Sequence, residues 1–124
     1  DGMESILISV KKLLGIDEDY TQFDTDIIIH INTVLMALTQ IGVGPEEGFA
    51  IADEYSVWED FIGDKTYLNS VKSYVYMRVK LLFDPPLSPA ALDSLKKISD
   101  EFEWRLQVAA ENNKSTEEGE ETYE

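Results

Sequence analysis

The sequence predicts an all-α protein: a small bundle of about four main helices, a short helix inside a loop excursion, and a disordered acidic tail at the C-terminal end. Three observations predict this. Apolar residues recur at helical spacing over four long stretches. Glycine and proline fall between those stretches, where they act as stops and turns. From Glu111 to Glu124 the chain holds six glutamates, one lysine and almost nothing apolar, a composition that cannot bury enough surface to offset its ordering entropy. The organisation expected is therefore a helical domain over 1–110 and a flexible acidic tail over 111–124.

The first helix runs from Glu4 or Ser5 to Leu14, with Ile6, Val10 and Leu13 on one side and Leu7 and Leu14 flanking. Gly15 follows the last apolar residue, the position of a left-handed cap, and Ile16 is placed to pack back on the final turn. Asp1 and Gly2 read as additions ahead of Met3, the expected native start. The connector Asp17 to Asp26, DEDYTQFDTD, invites a calcium-loop reading, which fails on two counts. A calcium hand needs glycine at loop position six and glutamate at position twelve; here those are Gln22 and Ile28. Asp24 or Thr25 serves better as a helix cap, with Asp26 on the positive end of the helix.

A second helix from Asp26 to Ile41 places Ile27, Ile31, Val34, Leu38 and Ile41 on one face, widened by Ile28 and Leu35. Ile29 and Met36 lie a heptad apart on the far side, as a second apolar contact requires, although isolated exposed apolar residues are also ordinary. His30, the sole histidine, borders the core face and reads as a structural, hydrogen-bonded residue. Gly42, Gly44, Pro45 and Gly48 then take the chain out of the bundle, with Phe49 to Ile51 as a short extended segment. GVG is too short for a phosphate-binding fingerprint, and Glu46 and Glu47 repel phosphate. Ser56 to Glu59 reads as a capping box opening a short helix that Gly63 ends. Trp58 and Phe61 on that helix form a lid on the core, or alternatively a platform for a ligand.

The central helix, Tyr67 to Phe83, is apolar around most of its circumference: Leu68, Val71, Val75, Val79 and Leu82 in one arc, Tyr67, Tyr74 and Leu81 beside it, Tyr76 and Phe83 behind. Asp84, Pro85 and Pro86 form a hard structural turn, since neither proline donates a helical N–H and each biases its predecessor away from the α region. The helix carries Lys72, Arg78 and Lys80 but no acid. Arg78 projects between the valine and tyrosine stripes, so its guanidinium needs a carboxylate or carbonyl within the subunit or on a neighbour. Ser88 and Pro89 open a last helix reaching about Ala110, with Ala91, Leu95, Ile98, Phe102, Leu106 and Ala109 as its buried face and Glu101 paired with Arg105. Trp104 and Val108 fall on the opposite side, where tryptophan is a candidate interface anchor.

A net charge of −15 on 124 residues repels a phosphate backbone, so direct nucleic-acid binding is disfavoured. No apolar run reaches the roughly 20 residues of a membrane-spanning helix. With no cysteine, disulfide stapling is out of reach, and a bacterial or viral cytoplasmic setting fits. The lone histidine and the lack of a nucleophile-elbow serine give no catalytic constellation, and a zinc site would need an unusual carboxylate set. No catalytic residue, cofactor or metal ligand is therefore assigned. The candidate interface residues are Ile29, Met36, Phe49, Trp58, Arg78, Trp104 and Val108.

Taken in order, ILISVKKLLGIDEDYTQFDTDIIIHIN, QIGVGPEEGF, WEDFIG, VKSYVYMRVKLLFDPP and EFEWRLQVAAE resemble the head-tail connector, or adaptor, proteins of tailed bacteriophages and prophages. The order and spacing of LLGI, FD-x-DI, GVGP, W-x-DF and LLFDPP carry the resemblance over Glu4 to Glu111. It implies a helical bundle that forms a ring, typically dodecameric, beneath the portal protein. Such a ring extends the DNA channel, lets DNA pass without specific binding, and docks a further head-completion or tail protein. It also implies a non-enzymatic role, a place at the head-tail interface of the virion, and assembly in the host bacterial cytoplasm. The extra apolar stripes suit a subunit with lateral neighbours. A competing class is an acidic helical regulator or inhibitor that mimics nucleic acid and occupies a basic partner.

Overall fold

The computed structural model describes residues 2–63 and 66–122, and the side chains of those up to 114. Five helices make up the fold in chain order: α1 Ile6–Leu13, α2 Asp24–Gln40, α3 Trp58–Phe61, α4 Leu68–Phe83 and α5 Pro89–Thr122. Among the described residues there is no strand, only an isolated antiparallel bridge between Ser5 and Val57. The bundle is all-α, as its periodicity predicts.

α4 is the central element, packed against α2 and against α5, with α1 set against α2 and α4. Its near-total apolar circumference follows from that position. Leu68, Val71, Tyr74, Val75, Met77 and Val79 are buried, and each fully buried aliphatic side chain contributes about 1.5–3 kcal/mol of transfer free energy. Leu82 departs from the expected arc and is half exposed, because it faces the open groove between α2 and α5 rather than the core. Leu13, expected on the buried side of α1, is likewise exposed at the end of that helix.

The glycine stops work through backbone geometry. After α1, Gly15 takes φ +82°, and the amides of Gly15 and Ile16 donate to the carbonyls of Lys12 and Lys11 at 3.1 and 2.9 Å. After α2, Gly42 and Val43 repeat the arrangement on Thr39 and Leu38, and Val43 is buried as the closing apolar contact. Both ends are Schellman caps, which satisfy carbonyls that the helix leaves open.

Three boundaries differ from the sequence reading. α2 starts at Asp24, not Asp26, and neither Asp24 nor Thr25 caps it, because the Asp24 carboxylate is drawn instead to Lys11. α3 is capped one residue later than the SVWE pattern suggests: Val57 is the N-cap and its N–H donates to Asp60 Oδ2 at 3.0 Å. The Ser56 carbonyl accepts from the Ile6 amide at 3.0 Å instead, stitching the excursion to the start of α1. Lastly, α5 does not end near Ala110 but is helical through the acidic segment to Thr122. Helix extended from a formed helix bears no nucleation cost, and this stretch has no proline and several glutamates, good helix formers. The rest of the expected tail, 123–124, lies outside the described residues.

Of the face expected for α5, Leu95, Phe102, Leu106 and Ala109 are buried or half-buried, but Ala91 and Ile98 are not. Ser99 and Leu106 are buried, with Leu92, Leu95, Phe102 and Ala110 half-buried, whereas Ala91 and Ile98 are exposed. A small residue at Ser99, its hydroxyl donating to the Lys96 carbonyl at 3.1 Å, lets the helix sit close on the bundle. Periodicity alone favours Ile98 for the core, but the polar contacts to α4 fix the rotation.

Candidate interaction surface

Those polar contacts centre on Arg78, which finds its partners within the protomer. Its Nη2 lies 2.7 Å from Asp100 Oδ1 and 3.7 Å from Glu103 Oε1 on α5. Its Nε donates to the Tyr74 hydroxyl at 3.2 Å, and the guanidinium carbon stands 5.3 Å from the Tyr74 ring centre. The same hydroxyl donates to Glu103 Oε1 at 2.7 Å. The network therefore runs Asp100–Arg78–Tyr74–Glu103 and locks α5 to α4. Burial, reinforced by the hydrogen bond to Glu103, pushes the Tyr74 phenol up to about 12. Partial burial works against the Arg78 cation, but hydrogen bonds to Tyr74 and Asp100 outweigh it and raise its pKa.

A second polar anchor was not evident from periodicity. Lys11 is 1% exposed, its Nζ 2.8 Å from Asp24 Oδ1 and 3.0 Å from the Glu18 carbonyl oxygen. The Asp24 contact is an ion pair without hydrogen-bond alignment, and among the described residues Oδ1 accepts no other hydrogen bond. This pair ties the acidic connector down on α1. A third anchor is Asn32, whose amide donates to the Ile51 carbonyl at 2.9 Å and accepts from the Ile51 N–H at 2.8 Å. It supplies the hydrogen bonds that a neighbouring strand would otherwise give to the 49–51 segment.

The sequence-derived interface candidates separate into two kinds. Ile29 and Met36 are 57% and 62% exposed on α2, and Trp104 is 65% exposed on α5 with Val108 half-buried one turn on. Trp58, in contrast, is buried, its indole N–H donating to Ser9 Oγ at 2.8 Å, so it is core rather than surface. Phe49 is half-buried, its ring 5.5 Å from that of Phe61. The Asp84–Pro85–Pro86 turn ends α4, where the Asp84 amide donates to the Lys80 carbonyl at 2.9 Å.

At the end of the bundle that carries this turn, aromatic rings form a chain: Tyr20 to Phe23 at 5.5 Å, Phe23 to Phe83 at 5.4 Å, and His30 to Phe83 at 6.2 Å. Tyr20, Phe23 and Leu87 are exposed beside it. Between α2 and α5, with α4 as floor, runs a groove of about 410 Å³ lined by Thr33, Ala37, Arg78, Leu82, Lys96 and Glu103. Among the described residues, no three His, Asp or Glu side chains converge to hold a metal ion, and no helix is long and apolar enough to cross a membrane.

Large apolar side chains, Ile29, Met36 and Trp104 among them, thus stand exposed on helix faces turned away from the core. The family model described as "Phage connector protein" matches residues 6–113, which is most of the chain. The chain belongs to the phage connector protein family. No curated protein and no solved structure gives a match. The family is a structural one, so a phage connector's working parts are its surfaces, and its place is in the phage particle among other head and tail proteins. The matched span begins with α1 and ends at Asn113, whose amide donates to the Tyr67 hydroxyl at 3.1 Å.

Proposed function

We propose that this connector assembles as a ring beneath the portal protein, extends the DNA channel, and presents the surface on which the next head-completion or tail component docks. The observation that carries this reading is the pair of apolar stripes on helix backs, exposed Ile29 with Met36 on α2 and exposed Trp104 with half-buried Val108 on α5. Each stripe lies on the back of a helix whose front packs on α4, so the two sit on separate sides of the protomer, as lateral neighbours require. The ends of the bundle, with the Tyr20–Phe23–Phe83 cluster at one of them, offer axial docking surfaces to the portal and to the following component.

The charge of −15 supports a lumen that does not retain DNA, since a surface rich in carboxylates repels the passing phosphates. The role is non-catalytic, and assembly takes place in the host bacterial cytoplasm before the particle is complete. Measuring the mass of the complex formed with the phage's portal protein tests the reading. A stoichiometry of many copies per portal, typically twelve, is expected, whereas a complex holding a single copy would contradict it. Assembled rings are also expected to release duplex DNA at low salt; tight retention would count against an acidic lumen.

A further inference from the structure

Resting on the axial docking proposed above, we infer that the aromatic end of the bundle, Tyr20, Phe23, His30 and Phe83, takes an arginine-bearing apolar segment of a partner protein. Three elements build this patch. Tyr20 comes from the connector after α1, Phe23 and His30 from the start of α2, and Phe83 from the last turn of α4. The ring centres stand 5.5 Å (Tyr20–Phe23), 5.4 Å (Phe23–Phe83) and 6.2 Å (His30–Phe83) apart. Tyr20 and Phe23 are exposed, and the Tyr20 hydroxyl donates to the equally exposed Gln22 side chain at 3.1 Å. In a ring of lateral neighbours this end faces along the axis, toward another component rather than another copy.

Charge gives the partner its chemistry. Asp19 precedes Tyr20, Asp26 lies one turn from both Phe23 and His30 on α2, and Asp84 follows Phe83; all three are exposed. The nearby cations are taken up: Lys80 Nζ is 3.6 Å from Asp84 Oδ2, and Lys11 is held by Asp24. Lys12 stands beside Asp17 and Glu18, whose two charges exceed its one. Among the described residues Asp19 and Asp26 have no ion-pair partner. An acidic segment would be repelled here, and a purely apolar one would cover these carboxylates without satisfying them. A guanidinium meets both features at once, since it stacks on an aromatic face and pairs with a carboxylate. The protein holds its own Arg78 by the same combination, 5.3 Å from the Tyr74 ring centre and 2.7 Å from Asp100 Oδ1. Apolar residues flanking the partner's arginine would lie on Tyr20, Phe23 and the exposed Leu87.

Backbone amide NMR of the full chain tests this, with the blocked peptide acetyl-Leu-Arg-Leu-amide as probe and its glutamine and glutamate counterparts as controls. The arginine peptide is expected to shift the amides of Tyr20, Phe23, His30 and Phe83, the glutamine peptide to bind at least about threefold more weakly, and the glutamate peptide to leave them in place. Equal binding of the arginine and glutamine peptides would overturn the part given to charge. Glu46 and Glu47 are an exposed acidic pair outside the aromatic patch and serve as an internal control. Shifts there as large as at the patch, or no shifts at the patch, would overturn the site. Asp19→Asn/Asp26→Asn and, separately, Tyr20→Ala should each weaken the arginine peptide by at least about threefold, with far-ultraviolet circular dichroism unchanged because all three side chains are exposed. Undiminished binding by both variants would contradict the inference. Concentration-dependent shifts at the patch without peptide would assign it to a second copy and overturn the partner. Peptide binding needs no ring, so its failure strikes this inference alone, whereas portal particles without rings strike the axial reading.

Discussion

Replacing Lys11 by methionine keeps most of the side chain's volume but deletes the ammonium that Asp24 and the Glu18 carbonyl share. At 2.8 Å the Lys11–Asp24 attraction is about 6 kcal/mol with an effective dielectric constant of 20. Most of that is offset by the cost of desolvating both charges, which is why intact buried pairs add little net stability. Breaking one partner alone is different, since it strands the other charge at a cost of about 3–5 kcal/mol. Asp24 is 26% exposed and regains some hydration, so Lys11→Met belongs at the lower end, about 3 kcal/mol. With an unfolding entropy of roughly 2.1 cal/mol/K per residue, a 124-residue chain should lose about 11 °C in Tm. Asp24→Ala strands the more deeply buried charge, with only the Glu18 carbonyl left to it, and should cost at least as much. The double variant Lys11→Met/Asp24→Ala removes both charges and should recover more than half of the summed loss. Urea unfolding followed by circular dichroism gives all four corners of the cycle. Additive single losses, or a Lys11→Met cost below about 1 kcal/mol, would refute the view that this pair fastens the connector between α1 and α2.

Two glycines with the same backbone sign should differ in tolerance. Gly15→Ala meets only the left-handed strain of about 1–2 kcal/mol, since nothing lies within 4 Å of an added Cβ, whereas Gly44→Ala adds an overlap with the Phe61 ring at φ +92° and should lower Tm further. Equal losses would mean that Phe61 moves freely. Tyr74 holds its proton more tightly folded than unfolded, so its contribution is fully present below about pH 10 and is lost as pH rises through about 12. Spectrophotometric titration should show one of the six tyrosines ionising late and together with unfolding, a step absent from Tyr74→Phe. Asn32→Leu leaves the amide and carbonyl of buried Ile51 without their partners at a cost of roughly 1–3 kcal/mol. Hydrogen exchange at the Ile51 amide should accelerate well beyond that of the α4 amides; unchanged protection there would show that the clamp is dispensable.

How legible the fold was depended on whether an element is decided by local chemistry. Gly15 and Gly42 end helices because the chain needs a left-handed residue there, and LLFDPP and Ser88–Pro89 bracket a turn because proline lacks a donor; all four are readable from the residues alone. The requirement that Arg78 find a carboxylate was also readable, though not the identities of Asp100 and Glu103, which depend on how α5 rotates. That rotation is decided by polar contacts and by the small Ser99, and a periodicity count that rewards only apolar residues assigns Ala91 and Ile98 to the core instead. Lys11 was invisible for a related reason: in the pair Lys11–Lys12 nothing local distinguishes the buried residue from the exposed one, and only the return of the connector to α1 brings Asp24 and Glu18 within reach. Asn32 and the Val57–Asp60 cap belong to the same class, long-range or one-residue choices that spacing does not encode. Among the surface residues, Ile29, Met36 and Trp104 were legible because they break their helices' patterns. Trp58 was ambiguous, since a core lid and an exposed platform leave the same mark in sequence.

The central claim is that this connector works as one subunit of a ring on the portal. Imaging the product of mixing the two proteins by electron microscopy tests it most directly. A closed ring of density coaxial with the portal and continuous with its channel is the predicted result. Portal particles with bare ends, or with isolated lateral density in place of a ring, would contradict it.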